Sequence, residues 1–101
     1  MAEFKKALKK SDLQPGSGKT IEVNGNEVAI FNVDGKFYAI NNTCLHQGGP
    51  LGEGELSGQQ VTCPWHGWEY DVTTGATLVD PSVKVKVYDV KVEGEDVLVA
   101  V

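Results

Sequence analysis

The chain has 101 residues, 41% of them hydrophobic and 23% charged, with a formal net charge of −5. That is room for one domain with a modest core, near the size at which bound metal becomes a useful staple, and it leaves no room for a second catalytic domain. Residues 1–10 sum to +3 and residues 11–101 to −8, and no arginine occurs anywhere, so an acidic body without the planar fork that reads phosphate or guanine argues against nucleic acid as a partner.

The opening "MAEFKKALKK" has no apolar core of the roughly 7–15 residues an export signal carries. Nor does any apolar run approach the roughly 20 residues a membrane helix needs. The expectation is a soluble, cytoplasmic protein with no membrane association, whose two cysteines stay reduced unless something binds them. Phe4, Ala7 and Leu8 are spaced to fit either an amphipathic turn or an edge strand. From there turn signals arrive at short intervals: Pro15-Gly16, Asn24-Gly25, Asp34-Gly35, Gly58, Thr74-Gly75 and Glu93-Gly94-Glu95-Asp96. Between them lie "KTIEV", "EVAIF", "KFYAIN", "QVTC", "WEYDV", "VKVKVY" and "DVLVAV", rich in β-branched and aromatic residues, which predicts an all-β domain. Asn24-Gly25 and Asp34-Gly35 suit two-residue hairpins whose central residues both need positive φ. In "VKVKV" (83–87) the alternation of Val83, Val85 and Val87 with Lys84 and Lys86 predicts a strand with one buried and one wet face.

The stretch "CLHQGGPLGEGELSGQQVTCPWHGW" (44–68) holds both cysteines, both histidines and both tryptophans of the chain. Cys44 and His46 are spaced C-x-H, and after sixteen residues Cys63 and His66 are spaced C-x-x-H. A lone buried cysteine or solvated histidine is ordinary, but all four together with nothing left over point to a metal. The sequence leaves zinc open, since zinc takes two sulfurs and two nitrogens. A two-Cys, two-His finger, however, keeps its cysteines together and its histidines on a following helix. Mixed pairs suit a dinuclear iron-sulfur centre in which two cysteines bind one iron and two histidines the other.

Residues 44–68 resemble the Rieske motif, with loop glycines and Pro64 where the family has them, and the flanking strand pattern extends the likeness over nearly the whole chain. The resemblance implies a [2Fe-2S] cluster, with Cys44 and Cys63 on the inner iron and His46 and His66 on the outer one. It implies an antiparallel β-sandwich or barrel base, with a small cluster-binding β subdomain at about residues 42–82 inserted in a single domain spanning residues 1–101. A third, proline-bearing loop over the cluster corresponds to "VDPSV" with Pro81. Two ferric ions, two sulfides and two thiolates sum to zero, whereas four thiolates would leave the cluster doubly negative. Adding an electron is therefore easier here than in plant-type ferredoxins, and the potential falls within about −150 to +300 mV. Gly48, Gly49 and Gly67 fit loops whose backbone passes close to the cluster.

Members of the family in cytochrome bc complexes carry a disulfide between the loops and a serine after the second loop's glycine; here Gly49, Trp65 and Trp68 stand at those positions, while Tyr70 keeps the place of their tyrosine. Fewer hydrogen bonds to cluster sulfur lower the potential. The chain therefore resembles the low-potential, soluble Rieske ferredoxins of bacterial ring-hydroxylating dioxygenase systems. That resemblance implies a non-enzymatic, monomeric electron carrier between a flavoprotein NAD(P)H-dependent reductase and a terminal Rieske oxygenase. The chain cannot itself be the oxygenase, because a mononuclear iron site needs two further histidines. Tyr70 is expected to donate to a cluster thiolate, Trp65 to shield the cluster, Trp68 to pack in the core, and Glu53, Glu55 and Glu69 to ring the cluster end or form an ordinary solvated face. Two other readings stand beside the carrier: the small Rieske subunit of an oxidoreductase such as nitrite reductase, and a zinc-stabilised binding module.

Overall fold

A computed structural model describes residues 3–43, 49–65, 67–78, 80 and 82–100. Its described residues form an all-β architecture of three antiparallel sheets with two single 3-10 turns. The strands are β1 (Phe4–Lys9), β2 (Ser17–Val23), β3 (Asn26–Val33), β4 (Lys36–Asn41), β5 (Glu55–Ser57), β6 (Gln60–Thr62), β7 (Glu69–Asp71), β8 (Val87–Tyr88), β9 (Val90–Glu93) and β10 (Asp96–Ala100). They pair in the orders β1-β10-β9, β2-β3-β4-β8 and β5-β6-β7. No helix among the described residues is long and apolar enough to cross a membrane.

The turn chemistry sets the registers. Asn24 and Gly25 have φ of 50° and 82°, and Asp34 and Gly35 of 53° and 92°, the double left-handed pair of a type I′ turn. These turns align Val23 with Asn26 and Val33 with Lys36, so β2, β3 and β4 form one meander.

The middle strand β3 is buried on both faces. Val28 and Ile30 pack with Leu8, Leu13, Val97 and Val99 toward the β1-β10-β9 sheet. Ala29 and Phe31 face the other way, onto Leu51, Val61, Cys63, Tyr70, Val72 and Val85. The β2-β3-β4-β8 sheet is thus a central layer, and the small β5-β6-β7 sheet rests on one side of it through an apolar cluster that includes Cys63. Burying each of these large side chains contributes on the order of 1.5–3 kcal/mol, so the sheet bearing Cys63 is anchored by packing.

The N-terminal segment is an edge strand: β1 pairs with β10, a register shift between Lys6 and Leu8 accommodates Ala7, and Leu8 points inward. The expected half-buried strand over 83–87 does not form as a unit. Lys84 bridges Ala76, the Val85 N–H donates to the Gly75 carbonyl at 2.9 Å, and the Asn41 N–H donates to the Lys86 carbonyl at 2.8 Å. The segment changes hydrogen-bond partner midway as it crosses from one loop to the edge of β4. Of its valines Val85 is 5% exposed, whereas Val87 is 40% exposed.

Candidate metal centre

Two loops were expected to carry the ligands, and both are pinched at their bases. At the first, Thr43 and Pro50 form an antiparallel bridge across residues 44–49. The anchor is Asn42, which is 3% exposed. Its Oδ1 accepts from the Gly52 N–H at 2.7 Å and from the Thr20 hydroxyl at 3.0 Å, and its carbonyl accepts from the Leu51 N–H at 2.7 Å. A buried amide satisfied this way locks the loop's exit, a 3-10 turn at Leu51–Glu53, against β2.

The second loop leaves β6 at Cys63 and returns at Trp68, whose carbonyl accepts the Cys63 N–H at 2.7 Å. Gly67, at φ 77°, makes the turn back. Cys63 is 2% exposed and packed in the same cluster as Val61 and Tyr70, so its sulfur is held from beneath by core. The Trp65 N–H donates to Cys63 Sγ at 3.4 Å.

The loops meet at this sulfur. A Cβ placed on Gly49 would lie 2.8 Å from Cys63 Sγ, 2.9 Å from Trp65 Cγ and 3.1 Å from Trp65 Cβ. The backbone of the first loop therefore passes against the candidate ligand of the second at Gly49. Gly49 and Trp65 face one another directly across the two loops. A Cβ on Gly67 would meet nothing within 4 Å among the described residues, and its φ of 77° makes it a turn residue.

Of the four candidate ligands, Cys63 is the one described; Cys44, His46 and His66 lie outside the described residues, as do Gly48 and Pro81. The segment flanking Pro81 is ordered by Thr77, which is 1% exposed. Its hydroxyl donates to the Asp80 carbonyl at 2.9 Å and accepts from the Asp80 N–H at 3.0 Å. The Ser82 hydroxyl and N–H donate to the Asp80 carboxylate and hold its pKa below the ordinary value. The Leu78 N–H donates to the Glu69 carbonyl at 2.9 Å, tying this loop to β7 beside the second loop. Asn42 and Thr77 were not singled out in the sequence. Their signals are an Asn-Asn pair just before Cys44 and a Thr-x-x-Asp-x-Ser pattern around Pro81.

Trp68 packs partly buried against the core, as expected. Trp65 covers Gly49 on one side yet remains 49% exposed, so it shields incompletely and presents an aromatic face to solvent. Tyr70 is fully buried in the cluster that holds Cys63. Glu55 and Glu69 lie directly across from Thr62 on either side, next to Cys63 along β6. Both are exposed, as is Glu53, and none takes part in an ion pair among the described residues. At the far end of β7, burial pushes the Asp71 carboxyl up, but donors from the Thr73 hydroxyl and N–H and from the Gln59 amide outweigh it and leave the pKa below 3.8.

A buried thiol with a backbone donor aimed at its sulfur, under a first-loop backbone too close to admit a side chain, fits a thiolate ligand of an iron-sulfur centre. The comparisons with known proteins agree. The family model of the Rieske [2Fe-2S] domain matches residues 3–99. The biphenyl dioxygenase ferredoxin subunit of Pseudomonas sp. (strain KKS102) is 39% identical over 98 residues, 95% of this chain and 90% of that one. The ferredoxin of carbazole 1,9a-dioxygenase from Nocardioides aromaticivorans IC177 superposes with a TM-score of 0.90 at 32% identity over 96% of both chains. A chain in the complex of reduced oxygenase and oxidised ferredoxin of carbazole 1,9a-dioxygenase gives 0.88 at 35% identity, over 96% of this chain and 92% of that one. The fold is shared more widely: a protein described as an NADH-dependent nitrite reductase small subunit from Mycobacterium tuberculosis gives 0.89 at 27% identity, over 99% and 96% of the two chains. The chain belongs to the Rieske [2Fe-2S] domain family, and its cofactor is a [2Fe-2S] cluster.

Proposed function

We propose that the chain is the soluble ferredoxin of a ring-hydroxylating dioxygenase system, taking electrons from a flavoprotein NAD(P)H-dependent reductase and passing them to a terminal Rieske oxygenase. The observation that carries this reading is the convergence of Gly49 and the Trp65 N–H on the sulfur of Cys63. We assign residues 42–82 as the cluster-binding unit, with Cys44 and Cys63 on one iron and His46 and His66 on the other. When bound, the cluster accepts and releases one electron at a time, at a potential in the lower part of the range from about −150 to +300 mV.

The chain's own residues supply the rest. Asn42 and the Cys63–Trp68 backbone pair hold the bases of the two loops. Core packing of Val61, Tyr70 and Val72 excludes water from the inner side. Trp65 and Leu78, at 49% and 45% exposure, each present apolar surface to solvent for brief contact with a partner. With both histidines of the chain assigned to the cluster, none remains for a mononuclear iron site, so the protein carries electrons and leaves catalysis to the oxygenase. A monomer in the cytoplasm suits a carrier that must alternate between two partners.

The test is stopped-flow mixing of chemically reduced protein with the oxidised biphenyl dioxygenase oxygenase component of strain KKS102, the system of the relative that is 39% identical. The proposal expects reoxidation of the ferredoxin with one electron delivered per chain. Absence of transfer, together with stable co-purification with a large subunit, would favour the nitrite reductase-type small subunit instead, the reading that the fold likeness at TM-score 0.89 supports.

A further inference from the structure

Among the described residues of this acidic body lies a basic hollow. Asn41, Thr43, Lys84, Val85 and Lys86 line an open concavity of about 280 Å³. Lys84 and Lys86 reach it from an extended segment, on either side of Val85, which is turned into the core at 5% exposure. Of the other lysines, Lys5 pairs with Glu3, Lys6 with Asp96 and Lys91 with Glu93, whereas Lys9, Lys10, Lys19 and Lys36 are in no ion pair among the described residues. Neither Lys84 nor Lys86 is in an ion pair among the described residues. The Lys86 ammonium sits 5.1 Å from the centroid of the Tyr88 ring, a cation–π contact that holds its position without neutralising its charge. The side-chain oxygen of Asn41 is occupied by the Thr43 N–H at 2.8 Å, which fixes the rim of the hollow at the base of the first loop.

We propose that this hollow is the docking point for an acidic segment of an electron-transfer partner protein, with two partner carboxylates meeting Lys84 and Lys86. Residues 11–101 sum to −8, so an acidic surface approaching most of the body is repelled. The hollow reverses that sign locally, and Thr43, which immediately precedes Cys44, forms part of its wall. Docking here therefore brings the partner to the flank of the first loop, where Thr43 precedes Cys44. The inference rests on the electron-carrier reading for its purpose, but not for its geometry. Exposed lysine–carboxylate pairs are individually weak and salt-screened, so the hollow contributes orientation and encounter rate more than tight affinity.

An oligoglutamate peptide serves as the stand-in for an acidic protein segment. Its binding to the cluster-loaded protein is measured by calorimetry at low ionic strength for wild type, for Lys84→Gln/Lys86→Gln, and for Lys19→Gln/Lys36→Gln, which removes the same charge elsewhere. The expected result is binding by wild type that weakens about fivefold more in the first double variant than in the second. The bound peptide should also slow oxidation of the reduced wild-type protein by hexacyanoferrate(III), in which the protein loses one electron and the oxidant becomes hexacyanoferrate(II). Equal weakening in both double variants, or no binding to wild type, overturns the proposal. Lysine-dependent oxidation by hexacyanoferrate(III) that the peptide does not affect also overturns it, because the hollow would then serve small anions only. Failure of the carrier reading is visible separately, as a protein whose visible spectrum does not bleach on reduction while the calorimetry remains interpretable.

Discussion

Replacing Gly49 with alanine adds one methyl group where the two loops meet. That Cβ would lie 2.8 Å from Cys63 Sγ and 2.9 Å from Trp65 Cγ, short of an ordinary contact of about 3.5–4.0 Å by roughly an ångström. Trp65, 49% exposed, has room to swing outward; Cys63, 2% exposed with its N–H held by the Trp68 carbonyl, does not. Overpacking of this kind costs about 1–3 kcal/mol. Falling on the assembled centre, that loss accelerates cluster release to a chelator by about 5- to 150-fold. Gly58→Ala is the matched control: its Cβ would meet nothing within 4 Å, but its φ of 61° penalises a side chain by about 1–2 kcal/mol. Both variants should lose global stability to denaturant, and only Gly49→Ala should lose visible absorbance relative to protein. Wild-type cluster retention in Gly49→Ala would refute the claim that this close approach builds the centre.

Asn42→Ala orphans the Gly52 N–H and the Thr20 hydroxyl, at about 1–3 kcal/mol for each group left buried, so the urea midpoint should fall sharply; a shift no larger than that of an exposed Asn26→Ala would contradict the anchoring role. Tyr70→Phe should lower the reduction potential with the cluster still bound, and an unchanged potential would remove the hydroxyl from the account. Asp71 titrates below 3.8 when folded, so the stability it contributes is fully present above its unfolded value and disappears as pH falls through the lowered folded value. The gap in urea midpoint between wild type and Asp71→Asn should therefore be wide at neutral pH and narrow below about pH 4; a gap independent of pH would assign it to packing.

The hairpins were legible because Asn24-Gly25 and Asp34-Gly35 make a demand few other residue pairs meet, two consecutive positive φ angles. The burial of β3 on both faces is foreshadowed by the run "VAI" (28–30), although sequence alone does not say which layer each residue joins. The fate of Phe4–Lys9 was not local: pairing with β10, at the other end of the chain, decides it in favour of a strand. "VKVKV" misled because alternation was read as one strand, whereas the hydrogen-bond partner changes between Val85 and Lys86. The strands β5 and β9 passed unnoticed, being short and largely polar or charged at Glu55–Ser57 and Val90–Glu93. At the site, scarcity of Cys and His picked out the candidate ligands, and the close approach of Gly49 to the Cys63 sulfur is a contact that only the folded chain reveals. Asn42 and Thr77 escaped notice because a buried polar hub reads, in sequence, like any loop residue.

The most direct test of the central claim is an anaerobic titration of the visible spectrum against potential at neutral pH, with the bound metal analysed on the same sample. The account predicts iron and a reversible one-electron transition near the lower edge of the Rieske range, about −150 mV. Bound zinc with no transition, or a transition well above zero, would contradict it.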